Sequence, residues 1–162
     1  MSCGAEGPVL IIGFGNQLRG DDGAGPAAAE RLEALLPADR VVVWSCHQLV
    51  PEMAEPVAGA AAVVFIDAAA DSPPGEIRMR EAAPVVDSSI ITQTHGFDPG
   101  HLLGCAQYLF GRAPRAVLFS VGGEDFSIRE GFSPTVAQAM DELVARVRQF
   151  VEGLLSAPGA RA

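Results

Sequence analysis

Short apolar runs that lack any polar alternation are the feature that most restricts how this chain can fold. They are "PVLIIG" (8–13), "RVVVW" (40–44), "AAVVFID" (61–67) and "RAVLFSV" (115–121). A strand with one wet face alternates apolar and polar residues, whereas a strand covered on both faces does not, so these runs predict central strands of a parallel sheet. Stretches of helical period separate them, beginning with "GPAAAERLEALL" (25–36), and the resulting βα rhythm predicts an α/β fold with helices on both faces of the sheet. "GEIRMREA" (75–82) is the exception: Ile77 and Met79 alternate with Arg78 and Arg80, which predicts an edge or antiparallel strand.

Helices are expected over "PEMAEPVAG" (51–59) and over "DPGHLLGCAQYLFG" (98–111), the latter with Asp98 as N-cap and Pro99 in the first position. The last helix is announced by Ser133 as N-cap and Pro134. From there Val136, Met140, Leu143, Val144, Val147, Phe150, Val151 and Leu154 form one apolar stripe, with Asp141, Glu142, Arg146, Arg148 and Glu152 off it. With 162 residues, 49% of them apolar, the chain suits one domain over residues 1–155. Residues 156–162 offer nothing to bury and are expected to be disordered.

Charge narrows the function. A formal net charge of −9 repels nucleic acid and anionic membranes at long range. All 11 basic residues are arginine, which removes Schiff-base chemistry, a Walker lysine and a desolvated amine nucleophile. Cys3, Cys46 and Cys105 are odd in number and far apart, matching neither a disulfide framework nor a structural zinc site, and are expected to be reduced thiols. No secretion-signal pattern opens the sequence and no apolar run approaches the roughly 20 residues of a membrane span, so a cytoplasmic location is expected.

The candidate chemistry starts in "GFGNQLRGDDGAG" (13–25), a glycine turn after the first strand. It carries two glycines of the dinucleotide fingerprint but has Leu18 in place of the third, and the second strand ends in "WSCHQL" without the ribose-binding acid, so no nucleotide cofactor is expected. Asp21 and Asp22 would moreover repel a pyrophosphate. Either carboxylate could cap the start of the next helix, and that reading competes most seriously for Asp21. Two adjacent carboxylates cannot both take the same donors, which leaves one to face the ligand crevice at the carboxyl ends of the strands.

Asp67 closes an otherwise apolar strand at that same edge, although an Asp there could also cap the turn that follows. His95 stands in the loop "TQTHGFDPGH" before a helix. Asp22, Asp67 and His95 together would supply two oxygens and one imidazole, a set suited to a borderline divalent ion such as Ni²⁺, Zn²⁺ or Cd²⁺ with positions left open. His47, after the second strand, is a second candidate for this edge, and His101 falls inside a helix. There is no GxSxG elbow, and Cys46 beside His47 points the opposite way on an extended segment.

The ordered set "LIIGFGNQLRGDDGAGPAAAERL", "QLVPEMAE", "VVFIDAA", "THGFDPGHLL" and "SVGGEDFSIREGFSPTVAQAMDELV" resembles the hydrogenase maturation proteases, which trim the C-terminal extension from the large-subunit precursor of nickel-iron hydrogenases. The resemblance covers most of the chain. It implies a three-layer α/β fold with a twisted, mostly parallel five-stranded sheet. It also implies an acid in the glycine turn, an aspartate at the third strand and a later loop histidine as metal-contacting residues, matching Asp22, Asp67 and His95, with His101 as the substitute histidine if the loop register differs. The first acid is often glutamate in the family and is one methylene shorter here.

In the family the cation is the nickel already inserted in the precursor, so the implied cofactor is substrate-borne nickel and the implied partner is that precursor; docking on a large precursor leaves no need for self-association, so a monomer is expected. Asp22 and Asp67 would position the metal while one of them activates water, or the two would act as an acid and base pair without metal. Gly13, Gly15 and Asn16 would shape the turn, and "GGED" (122–125) would line the cleft or form a structural turn. A non-cleaving nickel-dependent binding module or chaperone and a nucleotide-binding oxidoreductase or transferase are the competing readings.

Overall fold

The computed structural model describes residues 7–86 and 97–157. Five strands form one sheet in the order β2-β1-β3-β5-β4. They are β1 (Val9–Phe14), β2 (Val41–Cys46), β3 (Ala62–Ala69), β4 (Ile77–Ala82) and β5 (Arg115–Gly122). The first three and β5 run parallel, and β4 returns antiparallel along β5, pairing Ile77 with Val121 and Ala82 with Ala116. The alternation of arginines with apolar residues in β4 therefore marked an antiparallel edge strand, as expected.

One expectation needs correcting. The β2 run is as apolar as the others but lies at the opposite edge of the sheet, with Val42 and Ser45 exposed. Only β1, β3 and β5 are central, and an apolar run alone does not distinguish a covered strand from an edge strand backed on one side.

Among the described residues four α-helices cover the sheet: α1 (Ala24–Glu33), α2 (Ala54–Gly59), α3 (Pro99–Phe110) and α4 (Pro134–Ser156). On one face α1 and α4 bury Ala28, Leu32, Val136, Leu143, Val147 and Val151 against Ile11, Val64 and Ile66. On the other face α2 and α3 pack Val57, Leu102 and Leu103 against Leu10, Ile12, Val63 and Phe65. Residues of opposite parity along β1 and β3 thus feed two separate cores, which is why these strands read as unbroken apolar runs.

Helix starts follow the sequence signals. The Asp98 side chain accepts from the His101 amide at 2.9 Å and Ser133 accepts from the Val136 amide at 3.4 Å, each with proline in the first turn. The expected 51–59 helix divides into a 3-10 turn at Pro51–Met53 and the short α2. Among the described residues, no helix is long and apolar enough to cross a membrane. Of the expected disordered tail, 156–162, all but Ser156 and Ala157 lie outside the described residues, and Ser156 ends α4.

Candidate functional site

The strand order fixes where a ligand crevice can form. From β1 the chain crosses to β2 on one side, while β3 connects to β4 and β5 on the other, so the carboxyl ends of β1 and β3 flank the topological switch point of the sheet. Asp22 comes from the turn after β1 and Asp67 from the far end of β3. Pairing of β1 with β3 stops at Gly13 and Ile66, so Asp67 sits just beyond the last residue at which the two strands are joined. The strand itself continues to Ala69 along β5, with Asp67 opposite Ser120, so Asp67 lies within β3 rather than closing it.

Glycines bring the two carboxylates together. A Cβ on Gly25 would stand 2.4 Å from the Ile66 carbonyl oxygen, and one on Gly13 would stand 2.1 Å from the Gly25 carbonyl oxygen. Only hydrogen at these positions lets the start of α1, and the 3-10 turn Gly20–Gly23 that precedes it, settle against β1 and β3. Gly15 takes φ +144, with the Asp22 carbonyl oxygen 2.0 Å from where its Cβ would be. The loop folds back on itself there, and the Asn16 amide donates to Asp22 Oδ2 at 2.7 Å. Asn16 Oδ1 in turn accepts from the Leu18 amide at 2.9 Å, closing an Asx turn that shapes the loop.

Electrostatics tie the pair. Burial pushes the Asp67 carboxyl up to about 7, against the pull of the Ala68 amide that donates to it, and the nearby Asp22 charge raises it further. A carboxyl poised near neutrality can give or take a proton in a reaction. It is also a group that a nearby cation would stabilise in its ionised form.

The neighbouring acid has another task. Asp21 is fully buried, and its carboxylate accepts from the Glu124 and Asp125 amides at 2.8 and 2.9 Å and from the Ser133 amide and hydroxyl at 2.8 Å each. Burial opposes its charge, but these donors outweigh it and hold the carboxyl below its ordinary value. The helix-cap reading of Asp21 is thereby replaced, because its donors belong to a loop more than a hundred residues away. "GGED" is the structural turn that supplies two of them.

His95 lies outside the described residues. His101 is on the first turn of α3, where its Nδ1 is 2.7 Å from Asp98 Oδ1 and its ring lies beside Phe97. Among the described residues no three His, Cys, Asp or Glu side chains gather as a metal site, so neither His101 nor His47 joins Asp22 and Asp67. His47 is exposed and instead borders a cavity of about 400 Å³ on the β2 side of the glycine turn, together with Gly15, Asn16, Leu18, Glu30 and Cys46. Sequence reasoning placed Asp22 and Asp67 at one edge of the sheet, where the structure has them, but missed the anchoring role of Asp21 and Ser133, whose signal is a long-range contact with backbone amides.

An open, doubly wound α/β sheet with a carboxylate pair at its switch point is the class this architecture defines. Among solved structures that fold is found in the hydrogenase maturation proteases. The NiFe hydrogenase maturation protease HycI from Thermococcus kodakarensis superposes with a TM-score of 0.72 at 22% identity, covering 90% of this chain and 92% of that one. The hydrogenase maturating endopeptidase HybD from E. coli gives 0.70 at 24% identity over 90% and 93%. A hydrogenase 2 maturation peptidase from a Thaumarchaeota archaeon gives 0.67 at 22% identity over 90% and 98%. No protein-family model matches the sequence, and no curated protein matches it significantly.

Proposed function

We propose that this chain is an endopeptidase that removes the C-terminal extension of a nickel-iron hydrogenase large-subunit precursor once nickel is in place. The observation that carries the reading is the placement of Asp22 and Asp67 at the switch point of a fold shared nearly end to end with proteins named as hydrogenase maturation proteases. The ordered motifs of the sequence support it independently. Nickel arrives as part of the substrate: two half-buried carboxylates, with His95 as the third ligand the family resemblance implies, would hold a divalent ion incompletely and engage it best when the precursor supplies further ligands. The protein works in the cytoplasm as a monomer.

In this reading Asp22 and Asp67 contact the nickel of the precursor and hold the scissile peptide beside it. One carboxylate takes a proton from water as the water oxygen attacks the peptide carbonyl carbon, and the proton passes to the departing amine as the C–N bond breaks. In the free protein burial raises the Asp67 carboxyl to about 7, and contact with the nickel of the precursor would lower it and favour the carboxylate that accepts the proton.

The test is the intact mass of a cognate precursor after incubation with the protein, with nickel inserted and without. Loss of one C-terminal fragment from the loaded form alone is expected. Cleavage of both forms would retain the peptidase and remove the nickel requirement, and cleavage of neither would overturn the proposal.

A further inference from the structure

We infer that Asp21 is a positioning residue, a buried clasp through which the loop between β5 and α4 holds the adjacent Asp22 in its working place. The inference rests on the proposed peptidase site but assigns a residue and a loop that the site chemistry itself does not use.

The clasp is built from one segment against another. Asp21 Oδ1 accepts from the Ser133 amide, while Oδ2 accepts from the Glu124 amide, the Asp125 amide and the Ser133 hydroxyl, all within 2.9 Å. Around it the backbones are stitched: the Asp21 amide donates to the Asp125 carbonyl at 2.9 Å, the Gly20 amide to the Arg129 carbonyl at 3.0 Å, and the Arg129 amide to the Leu18 carbonyl at 3.0 Å. Arg19 Nε reaches the Phe126 carbonyl at 3.3 Å. Apart from bonds inside the turn itself, the hydrogen bonds that residues 18–21 make with other described residues therefore run to residues 124–133.

Asp22 is the next residue along, and among the described residues its own hydrogen bonds are local. Its own amide donates to the Arg19 carbonyl at 3.2 Å and its carboxylate takes the Asn16 amide at 2.7 Å, both contacts inside the same turn. If the turn shifts, these contacts move with it. The Asp21 carboxylate is what joins the turn to the start of α4, since Ser133 is at once its partner and the N-cap of that helix. An asparagine cannot replace it. Four donors converge on two acceptor oxygens, and an amide would turn its NH₂ group toward at least one of them.

Amide hydrogen exchange and cleavage kinetics of Asp21→Asn and Ser133→Ala in the full-length protein test this. In Asp21→Asn the Asn16 and Asp125 amides should exchange at least ~10-fold faster while β3 amides keep their protection, and kcat should fall ~100-fold per folded molecule with KM changed only a few-fold. Ser133→Ala, which keeps three of the four donors, should give the same pattern with a smaller loss. A folded Asp21→Asn with unchanged Asn16 exchange or unchanged kcat overturns the inference. If that variant does not fold, unchanged exchange and kcat in Ser133→Ala overturn it. A wild-type protein that cleaves no precursor refutes the peptidase reading, while the exchange measurement still decides whether Asp21 holds the turn.

Discussion

Replacing Asp67 by asparagine should stabilise the protein above neutral pH, by an amount the structure sets. The Asp67 carboxyl titrates at about 7 in the folded chain against an ordinary 3.8. Well below pH 3.8 it is protonated in both states and costs nothing. As pH rises through this window the unfolded chain ionises first, so folding becomes progressively less favourable until the native group also ionises near 7. At 1.36 kcal/mol per pH unit the whole cost is about 4 kcal/mol. Asparagine does not ionise, and its Oδ1 can still accept the Ala68 amide, so the variant should lack this loss.

The sequence pI of about 4.6 makes work below pH 5 prone to precipitation, so the useful range is pH 5.5 to 8.5. Across it the stability advantage of Asp67→Asn over wild type should grow by about 2 kcal/mol and level off above pH 7. Urea unfolding followed by fluorescence of the sole tryptophan, Trp44, which packs against the core under α2 and α3, measures it. An advantage that is constant over this range would refute the argument, because a difference in packing alone has no such pH dependence.

Asp22→Asn should lower the Asp67 titration only part of the way, since burial is the larger cause and the Asp22 charge a smaller one; carboxyl NMR of Asp67 reads this directly. The same variant losing cleavage fits several roles, whereas full retention with the nickel-loaded precursor would exclude Asp22 as the base. For the wild-type enzyme, kcat/KM against pH should show an ionisation near 7, because that parameter reports the free enzyme, where Asp67 titrates at about 7. Gly15→Ala, with φ +144 and the Asp22 carbonyl 2.0 Å from the new Cβ, should cost ~2–4 kcal/mol in urea unfolding and abolish cleavage.

The local rules of the chain determined most of its frame. Unbroken apolar runs gave β1, β3 and β5, the arginine alternation gave the antiparallel β4, and the proline and N-cap pairs at Asp98 and Ser133 gave the starts of α3 and α4. These are decided by neighbours in sequence, so they can be read from it. The position of Asp22 and Asp67 was legible too, because a loop after one parallel strand and the end of another must meet at the same sheet edge.

Only the tertiary structure decided what the two adjacent aspartates do. In sequence Asp21 and Asp22 are nearly equivalent. In the fold one is fully buried on four donors from a distant loop and the other lies on Asn16 beside Asp67. Three of those four donors are backbone groups, which every residue carries, so no side-chain pattern announced them. The edge position of β2 was hidden for the same kind of reason: strand order is set by how α1, α2 and their crossovers pack, not by the apolarity of the strand.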